Sequence, residues 1–273
     1  MSEYQYYEFQ AIDRPLDERA RRALRACSTR ATITSTRFVN HYEWGDLKAD
    51  PLVWMERYFD AFLHVANWGT HWLMLRFPRH VLDLPTARRY CRSESARVTA
   101  KSDVLILSFG SEDESGDGWD DDGSGWLASL IPLRGDIAAG DHRALYLAWL
   151  LSVQHGELPS HATEPPVPPG LGRLSAPLTA FADFLRIDRD LIAAAAQRSP
   201  APGRPRKSLN LLIATLPETE KTAWLARLAA GDGPDVRGEV LRRLETAKRR
   251  VEVRAAKLRT VADLLAVAGR RRR

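Results

Sequence analysis

Glu56, Asp60 and His64 recur every fourth residue within Leu52–Pro78, LVWMERYFDAFLHVANWGTHWLMLRFP. On one continuous helix they share a face, and two carboxylates beside an imidazole are a donor set suited to a divalent cation. The same spacing is common in exposed salt-linked stripes, which is the plainer reading. On a wheel of about 100° per residue the three lie roughly 130° from the apolar face of Met55, Phe59, Phe62 and Ala66. They are expected to face away from the core.

Other catalytic chemistry lacks a pattern. His41, His71, His80, His142, His155 and His161 show no metal-ligand spacing, and serine and cysteine nucleophiles have no recognisable partner. The chain has no nucleophile elbow, no Walker loop and no dinucleotide fingerprint. Cys27 and Cys91 stand alone with no CxxC, which argues against a zinc ribbon or a disulfide framework. No catalytic residue and no cofactor are assigned.

Binding chemistry is better represented near the C-terminus. Residues 1–163 carry 18 Lys and Arg against 23 Asp and Glu, whereas residues 201–273 carry 18 against 8. Within the basic part, Leu244, Val251, Leu258 and Leu265 fall seven apart, the spacing of a coiled-coil or helical-hairpin seam. Arg204, Arg206, Lys207, Lys248, Arg249, Arg250, Arg254, Lys257 and Arg259 form a basic strip that suits an acidic protein or phosphates. No aromatic residue interleaves with the charges after Trp224, so base stacking is not offered.

The elements that must position these residues are legible in outline. Tyr4–Ile12 alternates as a strand, and Asp17 is placed to cap a helix through ERARRALRACS. Arg30–Trp44 reads as two short strands. Leu52–Pro78 then reads as a buried helix, a stop at Gly69, and a strand covered on both sides. A short helix, Pro85–Cys91, and a β-rich segment, Arg97–Gly110, follow. Read as β-α-β-β-α-β plus an added strand or hairpin, the first 110 residues resemble a ferredoxin-like sandwich, a resemblance of element order alone that implies no activity.

Ser111–Gly125, SEDESGDGWDDDGSG, is an acidic loop that fails the calcium-loop pattern, because Gly118 and Ser129 stand where carboxylates are required. Trp126–Gly156 is helical and strongly apolar. Pro159–Gly172 is expected to be a semi-rigid linker, giving an α+β domain over 1–158 and a helical domain over 173–273. The last helix is expected to run from about Asp235 to Ala268. The four-arginine end suggests a chain cut from a longer protein.

The opening YQYYEFQAIDRPL, the segment FVNHYEWGD and RYFDAFLHVANWGT are similar to passages in uncharacterised bacterial proteins that begin alike and carry long Arg/Glu/Ala-rich helical tails. The resemblance covers most of the chain and transfers no site residue. With no long apolar run and no signal-like N-terminus, the chain reads as soluble, cytoplasmic and free of the membrane. The functional expectation is a non-catalytic protein-interaction or scaffolding module that pairs through its C-terminal helix with another protein or a second copy. Nucleic-acid binding by the basic strip is the alternative, and a metal-dependent enzyme using Glu56, Asp60 and His64 a further one.

Overall fold

In the computed structural model the described residues are 4–113, 122–201, 213–214, 216–231, 236, 238–240, 243 and 259–271. The chain opens as β1 (Gln5–Gln10), α1 (Glu18–Cys27), β2 (Thr32–Ile33), β3 (Arg37–Tyr42), α2 (Pro51–Arg57), β4 (Ala61–Ala66) and β5 (Thr70–Pro78). It continues as α3 (Leu84–Tyr90), β6 (Ala96–Ala100) and β7 (Val104–Glu112). These strands form one seven-stranded sheet, ordered β2-β3-β1-β4-β5-β7-β6, with every neighbouring pair antiparallel.

The main departure from expectation lies in the central stretch. The helix expected to run from Leu52 to a stop at Gly69 ends at Arg57, and Ala61–Ala66 is a strand buried at every position. A strand covered on both faces has an unbroken apolar run, which helical periodicity cannot be told from over so few residues. Tertiary contacts decide it: Phe62 joins an aromatic cluster with Tyr7, Phe9 and Trp72, while Ala61, Leu63 and Val65 point to the opposite core. Gly69 does take a left-handed conformation (φ +100°), but in the β4–β5 turn. A Cβ there would sit 1.7 Å from the Asp113 carbonyl oxygen, so the close approach of the two backbones requires glycine.

The two sheet faces are dressed differently. Helices α1 and α2 lay Leu24, Trp54 and Met55 against Phe9, Phe38 and Phe62. Asp17 and Asp50 cap these helices, accepting the N–H groups of Ala20 and Leu52 at 2.7 and 2.8 Å. The other face is covered by α4 (Trp126–Leu130), α5 (Pro132–Ala138), α6 (Arg143–Gln154), α7 (Ala176–Phe184) and α8 (Arg189–Ala196). In α6 ten successive residues, Ala144 to Val153, are buried, as expected of a helix enclosed on all sides.

The proline-rich segment 159–172 lies within this packing. Pro165, Pro168 and Leu171 are buried, the Tyr90 hydroxyl donates to the Pro166 carbonyl at 3.0 Å, and Thr163 bridges to Thr260. One apolar cluster runs from the sheet through α6 and α8 to the last helix, α10 (Val261–Arg271). The expected continuous helix over 235–268 is broken at Arg259–Thr260, where Glu164 N–H donates to the Arg259 carbonyl at 2.9 Å. Thr260 then caps α10, its Oγ1 accepting the Asp263 N–H at 3.2 Å. Between α8 and α10 lies α9 (Glu218–Ala229), which buries none of its residues.

Candidate functional site

The metal stripe is taken apart by the end of α2. Glu56 remains on the helix and pairs with Lys101 at 3.1 Å. Asp60 occupies the helix–strand junction, fully buried, where its Oδ2 accepts the N–H groups of Ile12 and Asp13 at 2.6 and 2.9 Å. Its Oδ1 accepts Arg76 Nε and Nη2 at 3.0 and 2.5 Å. Burial opposes the charge on Asp60, but the two N–H groups and the Arg76 guanidinium outweigh it and hold the carboxyl below its usual range. Arg134 joins the cluster through a paired contact with Asp13 at 2.8 and 2.5 Å.

His64 is on β4, stacked on Tyr7 at 4.3 Å with its Nε2 3.2 Å from Gln5 Oε1. Burial pushes its pKa down to about 4, so the ring is neutral at neutral pH. Among the described residues no three His, Cys, Asp or Glu side chains are grouped so as to hold a metal ion.

Of the proposed seam, Leu244, Val251 and Leu258 lie outside the described residues, and Leu265 on α10 is 43% exposed. Val261, Leu264 and Ala268 are the α10 residues that pack inward, toward α8. Leu265 lies beyond the break at Arg259–Thr260. Of the basic strip, Arg204, Arg206, Lys207, Lys248, Arg249, Arg250, Arg254 and Lys257 are likewise outside the described residues.

Arg259 is described, and it is buried at 4% exposure. Its Nε donates to Glu164 at 2.8 Å, its Nη2 to the other oxygen of the same carboxylate at 2.5 Å, and its Nη1 to the Ala194 carbonyl at 3.1 Å. The Tyr146 hydroxyl also donates to Glu164. With its donors spent internally, Arg259 fastens the chain end to the body instead of lining a surface strip.

Two arrangements escaped the sequence. In the first, Ser95 Oγ lies 2.6 Å from His155 Nδ1 and 2.8 Å from Glu157 Oε1, on the wall of a cleft of about 760 Å³ that also includes Trp72, Ser108 and Glu112. Serine, histidine and glutamate are the types of a hydrolytic triad. Here, however, the Glu157 carboxylate also accepts the Ser95 N–H at 3.1 Å, and the serine is only 6% exposed. The hydrogen bonds close as His155 Nδ1–H to Ser95 Oγ–H to Glu157, a brace joining the end of α6 to the start of β6. With its proton given to Glu157, Ser95 Oγ has no base to take that proton from it, as a serine nucleophile requires. The residues are 60 and 62 positions apart, so no local spacing signals them.

The second is the outward face of α9. Trp224 and Arg227 turn toward Glu239, at 3.3 and 2.7 Å, and Arg243 reaches back to Glu220 at 3.0 Å. Leu225 and Leu228 point away, 66% and 46% exposed. An i,i+3 pair of exposed leucines on one helix is an apolar ridge. No described helix is long and apolar enough to cross a membrane. No protein-family model, no curated protein and no solved structure matches the chain.

Proposed function

We propose that this protein is a non-catalytic interaction module, an α+β body that offers a basic, amphipathic C-terminal helical segment to an acidic partner protein. The observation that carries the reading is α9: a three-turn helix that buries no residue and holds Leu225 and Leu228 outward. Residues buried this little in the free chain contribute to stability only when a partner covers them. The excess of 18 basic over 8 acidic residues in 201–273 favours an acidic surface and works against two copies meeting through like-charged segments. The heptad pattern of Leu244, Val251 and Leu258 extends the same apolar chemistry in sequence, as a coiled-coil seam would.

The body is read as a ferredoxin-like unit extended by the β5–β7–β6 ribbon. The order β4-β1-β3-β2 and the placement of α1 and α2 on one face support that reading. Such a platform hosts many functions and selects none.

The test is capture from extract of the native host, with and without nuclease treatment, comparing the natural chain with Leu225→Ser/Leu228→Ser and with Val251→Ala/Leu258→Ala. The expected outcome is an acidic protein that is retained by the natural chain, released by salt, and lost with the leucine pair. Retention that survives both double substitutions sinks the proposal. Capture that disappears with nuclease treatment assigns the basic strip to nucleic acid, and a dimer in light scattering assigns the seam to a second copy.

A further inference from the structure

We propose that the cleft between the end of α3 and the edge strand β6 binds a small phosphorylated anion, a phosphate ester or diphosphate. Its volume is about 560 Å³, within the range of small-molecule sites, and its walls carry Arg88, Arg89, Arg92 and Arg97 against a single carboxylate, Glu94. Glu94 pairs with Arg97 at the exposed rim. Arg92 uses Nε on the Arg88 carbonyl at 2.6 Å, which orients its guanidinium while leaving the other nitrogens.

The decisive group is Arg89. Its Nη1 is buried and has no hydrogen-bond acceptor among the described residues. A buried guanidinium donor without an acceptor is costly, and native structures rarely keep one without a role. The carboxylates at the start of α3 and just before α6 are committed to other donors. Asp83 caps α3 through the Thr86 N–H at 2.8 Å, and Asp141 holds Arg143 at 2.9 and 2.6 Å.

Arg88 and Arg89 occupy the last turn of α3, where they also offset the partial negative charge of the helix end. That duty is satisfied by position alone and does not supply Nη1 with an acceptor. The planar fork of a guanidinium matches phosphate oxygens, and several forks facing one carboxylate select a multiply charged anion. Pro85, Cys91 and Val98 are the apolar lining, with no aromatic ring, so the cleft reads the phosphate and not a base.

The experiment is thermal unfolding and calorimetric titration of the full chain with sodium pyrophosphate, against sodium chloride at matched ionic strength. Saturating pyrophosphate is expected to raise Tm by about 5 °C beyond the salt control. Arg89→Met is expected to abolish that rise while leaving the ligand-free Tm equal to or above that of the natural chain, because the unsatisfied donor is gone. Arg92→Gln, at an exposed position, is expected to weaken binding about tenfold without changing the fold. No response beyond matched salt overturns the site, as does a response that Arg89→Met keeps. If Arg89→Met lowers the ligand-free Tm, Arg92→Gln decides: unchanged affinity in that variant overturns the proposal. Leu225→Ser/Leu228→Ser should bind pyrophosphate normally, which separates this site from the docking ridge.

Discussion

Two buried carboxylate–guanidinium pairs, Asp60–Arg76 and Glu164–Arg259, do similar chemistry under different constraints. Asp60 and Arg76 are 16 residues apart, on a junction and a strand of the same sheet. Asp60 also takes two backbone N–H groups, so its negative charge is met from several sides. Glu164 and Arg259 are 95 residues apart, and their contact joins the proline-rich segment to the entry of α10. Its support is the Tyr146 hydroxyl and the Ala194 carbonyl. Burial and Glu164 push the Tyr146 hydroxyl pKa far up, so it stays protonated and remains a donor. The first pair is one bond among many in a cooperative sheet, whereas the second closes a long loop. Breaking the second should therefore release a segment, and breaking the first should weaken the whole sheet.

The largest effect is expected from Arg259→Met, which leaves the Glu164 carboxylate buried and unpaired. A loss of about 3–5 kcal/mol in denaturant unfolding is expected, with early hydrogen exchange in α10. Arg259→Met combined with Glu164→Leu should recover most of that loss, because removing both charges removes the unpaired one. A double variant as unstable as the single one would show that packing, and not the orphaned charge, sets the cost.

Acid should affect the other region first. The folded-state pKa of His64, about 4, lies below its ordinary 6.5. A group depressed on folding contributes stability that is complete above the unfolded pKa and is lost as pH falls toward the folded value. His64 should thus remove on the order of 3 kcal/mol between about pH 6.5 and 4. Asp60, held below the usual carboxylate range, adds a second loss at lower pH as it protonates. Hydrogen exchange down a pH series should show β1 and β4 opening ahead of α10. Simultaneous opening of all three would erase the distinction between the two regions.

Asp60→Asn is expected to cost about 2 kcal/mol, since the amide keeps one acceptor for the two N–H groups but no longer balances Arg76. It should also flatten the stability profile below pH 4. A cost equal to that of Arg259→Met would mean that the backbone donors give Asp60 no redundancy.

The strongly apolar segment within Trp126–Gly156 marked α6, and Asp17 marked the start of α1, because local chemistry decides caps and enclosed helices. The Glu56, Asp60 and His64 stripe failed for a tertiary reason. AFLHVA fits either a helix or a doubly covered strand, and pairing with β1 and β5 made it a strand. The Ser95–His155–Glu157 brace and the arginine cleft were invisible because their members come from separate elements. The exposed ridge of α9 is half legible: Pro217 before the helix and Gly231 after it are local start and stop signals, but nothing local shows that the helix fails to pack.

Composition and local pattern alone determined that this chain has an α+β body, a basic C-terminal quarter and a heptad-spaced apolar series. These depend on residue type and on neighbours within a few turns. Tertiary structure alone decided that Asp60 sits beneath Arg76, that Arg259 turns inward to Glu164, and that Arg89 keeps a buried donor without an acceptor among the described residues. Each of these turns on desolvation, and whether a charge loses its water depends on what the rest of the chain brings over it.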